Sequence, residues 1–430
     1  MLNKEYFKGK DILIVGLGRS GYACASLLLD LKAKVSITEK NINEELKETA
    51  FELKAKGAQV ELGGHTQDFL KDKDLIVLSP GVDNHNPVVI WAEQNGIPII
   101  SEIELAYRLC PAKIIAVSGT NGKTTVTSLI GKCLEEAGKR VHICGNIGIP
   151  FSSKVAEISE DDYVSLEVSS FQLERIMDFK PFISVMLNFT PDHLDRYQNI
   201  EEYFYAKKRL FINQDEKDFA VLNYADPLVR EMAKGIKAKV VFFKEEDRLN
   251  QNFSAVKEVA QILGIDRKII ESVFSNFKGI AHRLEYVAEF KGVEFINDSK
   301  ATNVESTIWA LRNIKGRIIL IAGGRNKGLS FEKIKNEIKD KVKLMVLIGE
   351  AKDILKREFF GLTDIKEASS MEEAVRTAFL SANRGDKILL SPMCASFDMF
   401  KNYEERGDIF KQEVRKIIQD YAENENFYLS

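Results

Sequence analysis

The chain has little cysteine and no pattern in what it has. Its 430 residues include five cysteines, Cys24, Cys110, Cys133, Cys144 and Cys394. An odd count without a CxxC pair argues against a disulfide framework or a zinc site and predicts reduced thiols. Long apolar runs are also missing, since nothing approaches the ~20 residues that span a bilayer. The polar start, residues 1–10, lacks the apolar centre of a signal peptide. Charge of one sign is missing too. Lys and Arg number 61 against 64 Asp and Glu, a net charge of −3, so there is no overall pull toward nucleic acid or anionic lipid. These absences predict a soluble cytoplasmic protein that binds no nucleic acid and inserts in no membrane. An anionic ligand would have to be met locally, by helix N-termini, glycine loops and single cations.

What is present is the grammar of α/β proteins. Hydrophobic residues make up 45% of the chain, and short apolar runs alternate with longer amphipathic segments. Residues 11–15, 34–38, 74–78 and 98–100 read as buried strands. A second series follows at 113–117, 163–166, 182–187 and 219–222, and a third at 293–296, 317–321, 344–348 and 387–390. Buried runs with helical stretches between them imply parallel sheets covered on both faces. Three such series predict three α/β domains, with limits at 1–105, 106–279 and 280–430. The first and third would be Rossmann-like and the second of the phosphate-loop type.

Two glycine motifs carry the chemistry. Gly16-Leu17-Gly18-Arg19-Ser20-Gly21 follows a strand and opens a helix, the context of a dinucleotide fingerprint. By itself it suggests a nicotinamide enzyme. A nucleoside diphosphate also presents a pyrophosphate and a ribose, so the motif does not require a nicotinamide. The second motif, Ser118-Gly119-Thr120-Asn121-Gly122-Lys123-Thr124-Thr125, lies between a strand and a helix. Val117 stands where the strict phosphate-loop spacing has its first glycine, but the mechanism survives. Backbone N–H groups cradle phosphates, Lys123 neutralises β/γ charge and the Thr124 hydroxyl can ligate Mg²⁺. Glu167 ends a buried strand, the usual place for an acid that holds magnesium. His193, in Asn188-Phe189-Thr190-Pro191-Asp192-His193-Leu194-Asp195, is a ligand candidate, whereas His65, His85 and His142 read as ordinary surface or core residues.

Taken together, the GTNGKTT loop, Glu167-Val168-Ser169-Ser170-Phe171-Gln172-Leu173 and the segment from Asn188 to Asp195 resemble the Mur ligases. These enzymes add amino acids to the nucleotide precursor of the bacterial cell wall. Asn297-Asp298-Ser299-Lys300-Ala301-Thr302-Asn303, Leu390-Ser391-Pro392-Met393-Cys394-Ala395-Ser396-Phe397-Asp398 and Tyr403-Glu404-Glu405-Arg406-Gly407 resemble the D-glutamate-adding members. The likeness runs from about Asp11 to Phe410, in order. It implies an ATP-dependent ligase with the small-molecule substrates UDP-N-acetylmuramoyl-L-alanine and D-glutamate, working as a monomer through an acyl phosphate.

The same resemblance implies residue roles. Gly18, Arg19, Ser20, Thr38, Glu39, Lys40, Asn146 and Ser169 would face the UDP precursor. Gly119, Thr120, Asn121, Gly122, Lys123, Thr124 and Thr125 would hold the ATP phosphates, with Asn252 at the adenine, Arg283 at the nucleotide and Asp298 on the ribose. Lys300, Thr302, Lys327, Ser396 and Tyr403 would hold the amino acid. Two Mg²⁺ ions would sit near Thr124, Glu167, His193 and Lys207, with Lys207 (not Lys208) carrying a CO₂-derived carbamate. Lys123, Glu167, His193 and Lys207 are the catalytic candidates. One position departs from the pattern: Arg325 stands where many members have an acid, which bears on how strictly the incoming amino acid is read. A folylpolyglutamate synthase, an oxidoreductase with an added ATPase domain and a nucleotide-binding regulatory module are the competing readings.

Overall fold

A computed structural model describes residues 4–192, 196–245, 250–277, 279–326 and 330–428, with the side chains of 4, 68 and 422–428 excepted. Among the described residues there are three sheets, and the apolar runs form their strands. The first sheet contains β1 (Asp11–Val15), β2 (Lys34–Glu39), β3 (Gln59–Leu62), β4 (Leu75–Leu78) and β5 (Ile99–Ser101), all parallel in the order β3-β2-β1-β4-β5. The order reverses between β1 and β4, and ligands bind at such a switch point in open α/β sheets. The fingerprint glycines leave β1 there. A Cβ on Gly21 would lie 2.0 Å from the Gly16 carbonyl oxygen, so only glycine lets the helix Arg19–Asp30 pack this close.

The second sheet contains β6 (Lys113–Ser118), β7 (Val141–Gly145), β8 (Tyr163–Glu167), β9 (Ile183–Met186), β10 (Phe219–Asn223) and β11 (Lys239–Phe243), again parallel, in the order β11-β10-β9-β6-β8-β7. β6 is central, and β8 and β9 flank it, so their C-terminal tips meet at one edge. The helix Lys123–Glu136 starts beside that edge.

The first two sheets belong to one compact unit, residues 1–189 and 199–277. The helix Glu102–Leu109 helps to join them. Glu104 is fully buried and its carboxylate accepts the backbone N–H groups of Met177 (2.9 Å), Asp178 (3.1 Å) and Phe179 (2.9 Å). Arg108, one turn on, donates to the same carboxylate at 2.8 Å. Glu102 accepts the Ser152 N–H at 2.7 Å, and burial pushes its pKa up.

The second unit, residues 190–198 and 278–430, holds the third sheet. It contains β12 (Glu285–Phe290), β13 (Val293–Asn297), β14 (Ile318–Gly323), β15 (Val342–Ile348), β16 (Asp364–Glu367) and β17 (Lys387–Met393) in the order β12-β13-β17-β14-β15-β16. All neighbours are parallel except the edge hairpin β12–β13. Along β14, Ile318, Leu320 and Ala322 enter one core while Ile319 and Ile321 enter the other. A strand buried on both faces must be apolar at every position, which is why it reads as an unbroken run. No helix among the described residues is long and apolar enough to cross a membrane, and all five cysteines are buried and outside any disulfide.

Candidate active site

In the first unit, a cavity of about 600 Å³ opens at the β1/β4 switch point. Gly18, Arg19, Ser20, Glu39 and Lys40 line one side of it, and Asn146 and Gln172 the other. A second cavity of about 640 Å³ shares Gly18, Arg19, Glu39 and Asn41 with the first. Glu39 is held as an acceptor between them: its carboxylate takes the Leu17 N–H at 2.9 Å and the Asn41 N–H at 2.8 Å. Thr38 is placed differently from the expectation. It is fully buried and donates to the Gly64 carbonyl at 2.8 Å. It reaches the cavity only through His65, whose Nδ1 lies 2.7 Å from the hydroxyl and which does line the wall. Ser169 stands behind Gln172, capping the short helix Ser170–Leu173 and donating to the Gln172 side-chain oxygen.

The phosphate loop closes on itself. Lys123 Nζ donates to the carbonyls of Gly119 (2.8 Å) and Thr120 (2.9 Å), which keeps the ammonium within the loop, where it can neutralise an anion seated on the N–H groups. Gly119 and Gly122 have φ of +148° and +86°. A Cβ on Gly122 would lie 2.4 Å from Asn252 Oδ1, so Asn252 packs directly against the loop. Lys207 is buried, and its Nζ also donates to the Gly119 carbonyl, at 3.0 Å. Asn188, which carried no assigned role in the sequence, staples the loop from the tip of β9. Its Oδ1 accepts the Asn121 N–H at 2.8 Å, and its Nδ2 donates to the Asn121 carbonyl at 3.0 Å.

Glu167 links loop and cavity. β8 pairs with β6 so that Glu167 lies opposite Val117, immediately before the loop. Its Oε1 accepts from the Asn146 side chain at 2.9 Å. Its Oε2 is buried and has no hydrogen-bond partner among the described residues. A carboxylate oxygen left this way is costly unless something charged meets it, so the position fits a divalent cation. No group of three or more His, Cys, Asp or Glu among the described residues could hold a metal. Mg²⁺ uses one or two protein carboxylates together with phosphate and water oxygens, so a single acid placed like Glu167 is a donor of the kind it takes. Thr124 is buried in the first turn of the helix that follows the loop. His193 and Lys327 lie outside the described residues.

In the second unit, Lys300, Ser299 and Tyr403 form one cluster. Lys300 Nζ donates to the Tyr403 hydroxyl at 3.0 Å, and Ser299 donates to the Tyr403 carbonyl at 2.8 Å. Thr302 follows in a tight turn, its N–H on the Lys300 carbonyl. Arg406, quoted in the sequence without a role, organises this region. It is fully buried and donates to the Ser299 hydroxyl and carbonyl and to the Cys394 carbonyl. Burial pulls its pKa down to about 10. It thereby ties the Asn297–Asn303 segment to the segment bearing buried Ser396. Arg325 pairs by backbone with Ala395, next to Ser396, and its guanidinium makes two 3.0 Å bonds to Glu350. Asp298 is buried and accepts from Ser391 at 2.8 Å and from the Leu284 N–H at 3.2 Å. Burial raises its pKa to about 7, against the lowering effects of Ser391 and Arg283.

Family models match along most of the chain. A "Mur ligase MurD-like, N-terminal domain" covers residues 10–101, a "Mur ligase middle domain" 117–283 and a "Mur ligase, glutamate ligase domain" 282–394. The chain belongs to the Mur ligase family. Among curated Mur ligases, the UDP-N-acetylmuramoylalanine–D-glutamate ligase of Thermoanaerobacter sp. (strain X514) is 40% identical over 449 residues, covering 95% of this chain and 99% of its own. The enzyme of the same name from Koribacter versatilis is 40% identical over 447 residues, covering 96% and 98%. Among solved structures, the Mur ligase MurC of Thermotoga maritima superimposes with a TM-score of 0.60 at 17% identity, covering 94% of this chain and 99% of that one. A Yersinia pestis folylpolyglutamate synthase/dihydrofolate synthase gives 0.54 at 15% identity, covering 72% and 91%. At such identities the structural likeness speaks for the fold alone.

Proposed function

We propose that this Mur ligase joins D-glutamate to UDP-N-acetylmuramoyl-L-alanine at the expense of ATP, in peptidoglycan precursor synthesis. The observation that carries the proposal is the position of Glu167. One of its carboxylate oxygens is tied to Asn146 in the cavity wall and the other lies unpaired beside the phosphate loop. The 40% identity over 95% of the chain to D-glutamate ligases supports the choice of substrates. The glycine fingerprint then serves a nucleoside diphosphate, and the match of residues 10–101 to a MurD-like domain favours that over a nicotinamide.

Making an amide in water needs an activated carboxylate. The γ-phosphoryl group of ATP passes to the carboxylate of the precursor's L-alanyl end, giving an acyl phosphate and ADP. The neutral amine of D-glutamate attacks the acyl carbon, and the tetrahedral intermediate breaks its C–O bond to expel phosphate, which carries away the proton that the nitrogen loses. Gly119–Thr125 seat the triphosphate on backbone N–H groups, and Lys123 offsets the charge on the transferring group. Asn252 sets the wall of the loop on the adenine side, and Asp298 and Arg283 serve the ribose and phosphates. Arg19, Ser20, Glu39, Lys40 and Asn146 hold the precursor. Lys300, Thr302, Lys327, Ser396 and Tyr403 receive the amino acid. Magnesium held by Thr124, Glu167 and His193, with a carbamate on Lys207, would neutralise phosphate charge. We retain the limits 1–105, 106–279 and 280–430; one sheet in each supports them. Five buried cysteines without a disulfide support a cytoplasmic setting.

The test is ADP release by purified protein with UDP-N-acetylmuramoyl-L-alanine, ATP and Mg²⁺, with and without D-glutamate. Release that requires D-glutamate, with a product heavier by one glutamyl residue, is expected. Release with another amino acid only would move the error to the pocket around Arg325 and Ser396. No release with any amino acid would overturn the choice of substrates.

A further inference from the structure

The helix Ile200–Lys208 has two working faces. On the inner face, Lys207 holds the Gly119 carbonyl and the Tyr203 hydroxyl lies 3.4 Å from Thr120 Oγ1. The outer face and the turn Arg209–Phe211 wall a separate cavity of about 450 Å³. This volume falls within the range of roughly 300–1,000 Å³ typical of small-molecule sites.

The lining has two parts. Tyr205, Phe211, Ile212 and Ile236 supply an apolar wall, and Tyr205 and Ile212 remain 64% and 58% exposed. Lys208, Arg209 and Lys237 supply three cations, and no acid among the described residues lines the cavity. Lys208 donates to the Lys234 carbonyl at 3.1 Å, and Arg209 donates to the Leu173 and Ile176 carbonyls at 2.8 and 2.7 Å. Carbonyls orient these groups without neutralising them. An apolar body with one negative end is the chemistry that complements such a lining, and concavity favours a small molecule over the face of another protein.

We propose that this cavity binds a small anionic amphiphile, an apolar body of about ten carbons bearing one carboxylate, and that the phosphate loop responds to its occupancy. The coupling runs through one helix turn: a ligand packed on Tyr205 bears on the element that places Lys207 and Tyr203. Arg209 extends it to Leu173 at the end of the Ser170–Leu173 helix and to Ile176 beyond it, and Gln172 of that helix lines the precursor cavity. The binding claim is independent of the ligase reading, and only the coupling rests on the phosphate loop's holding a nucleotide.

The experiment is calorimetric titration of the whole protein with decanoate, decanol and decyltrimethylammonium below their micelle concentrations, with and without a non-hydrolysable ATP analogue. Lys237→Glu and Ile212→Glu are made at exposed positions so that the fold is kept. One-to-one decanoate binding is expected, with decanol and the cation at least about tenfold weaker, as one lost charge contact implies. Each variant should weaken decanoate by at least about tenfold. Absence of saturable decanoate binding, equal binding of decanol, or indifference to both substitutions would overturn the site. Linkage requires that the analogue change decanoate affinity by the factor by which decanoate changes the analogue's. A change of about threefold or more is expected, and equal decanoate affinity in both conditions would overturn the coupling. If the analogue itself does not bind, the nucleotide reading and the coupling fail together, while the decanoate titrations still decide the cavity.

Discussion

Replacing Glu104 with Gln should loosen the joint between the first two sheets in a way that can be read amide by amide. The carboxylate is fully buried and accepts three successive backbone N–H groups as well as Arg108. Glutamine keeps the shape. It removes the charge, presents an NH₂ where an acceptor is needed and leaves Arg108, whose side chain is 9% exposed, without its inner partner. Breaking one side of a buried ion pair costs about 3–5 kcal/mol, and charged hydrogen bonds are worth about 1.5–3 kcal/mol each without being additive. A net loss of about 4 kcal/mol corresponds to roughly a thousandfold faster hydrogen exchange at Met177, Asp178 and Phe179 if they exchange by local opening. Amides in the third sheet, which belongs to the other compact unit, should be unchanged. Arg108→Met added to Glu104→Gln should restore part of the loss, because the stranded cation goes with it. Exchange at those three amides less than about fivefold faster in Glu104→Gln would refute the reasoning.

Asp298 makes stability depend on pH with a definite sign. Its pKa rises from 3.8 to about 7 on folding, so the folded state favours the protonated acid. The stabilisation is complete below pH ~4 and is lost as pH rises through about 7, up to about 4 kcal/mol for this fully buried group. Asn can keep the Leu284 and Ser391 contacts, so Asp298→Asn should raise the urea midpoint at pH 8 more than at pH 5. In a Trp91→Phe background, Trp309 reports that transition alone, since the chain has two tryptophans. Equal gains at both pH values would contradict this account. Gly122→Ala puts a Cβ against Asn252 at φ +86°; the KM for ATP should rise about tenfold or more while that for the precursor holds, and parallel changes in both would argue against a local effect. Lys207→Ala should lower kcat at least about a hundredfold if the lysine acts on the transferring group, with partial rescue by a small carboxylate. Near-normal turnover would remove Lys207 from the mechanism.

The strands and the two glycine loops are carried by local patterns in the chain. Residues such as Ile318 to Ile321 are apolar at every position because both faces of their strand are buried, and that pattern is local. Gly16–Gly21 and Gly119–Thr125 were legible for the same reason, since each performs its task with consecutive backbone groups. Tertiary structure alone decided the partners that come from far along the chain. Asn188 meets Asn121 only because β9 lies beside β6. Arg406 reaches Ser299 and Cys394 across more than 100 and across 12 residues respectively. Thr38 ends behind the cavity wall because its hydroxyl is taken up by the Gly64 carbonyl and His65, and His65, which follows β3, is the residue that lines the space. Glu104, an unremarkable acid in the sequence, becomes a buried anchor because three N–H groups from a distant segment converge on it. A pattern carried by neighbours in sequence can be read from sequence; a hydrogen bond between strangers in sequence exists only after the sheets have set their order.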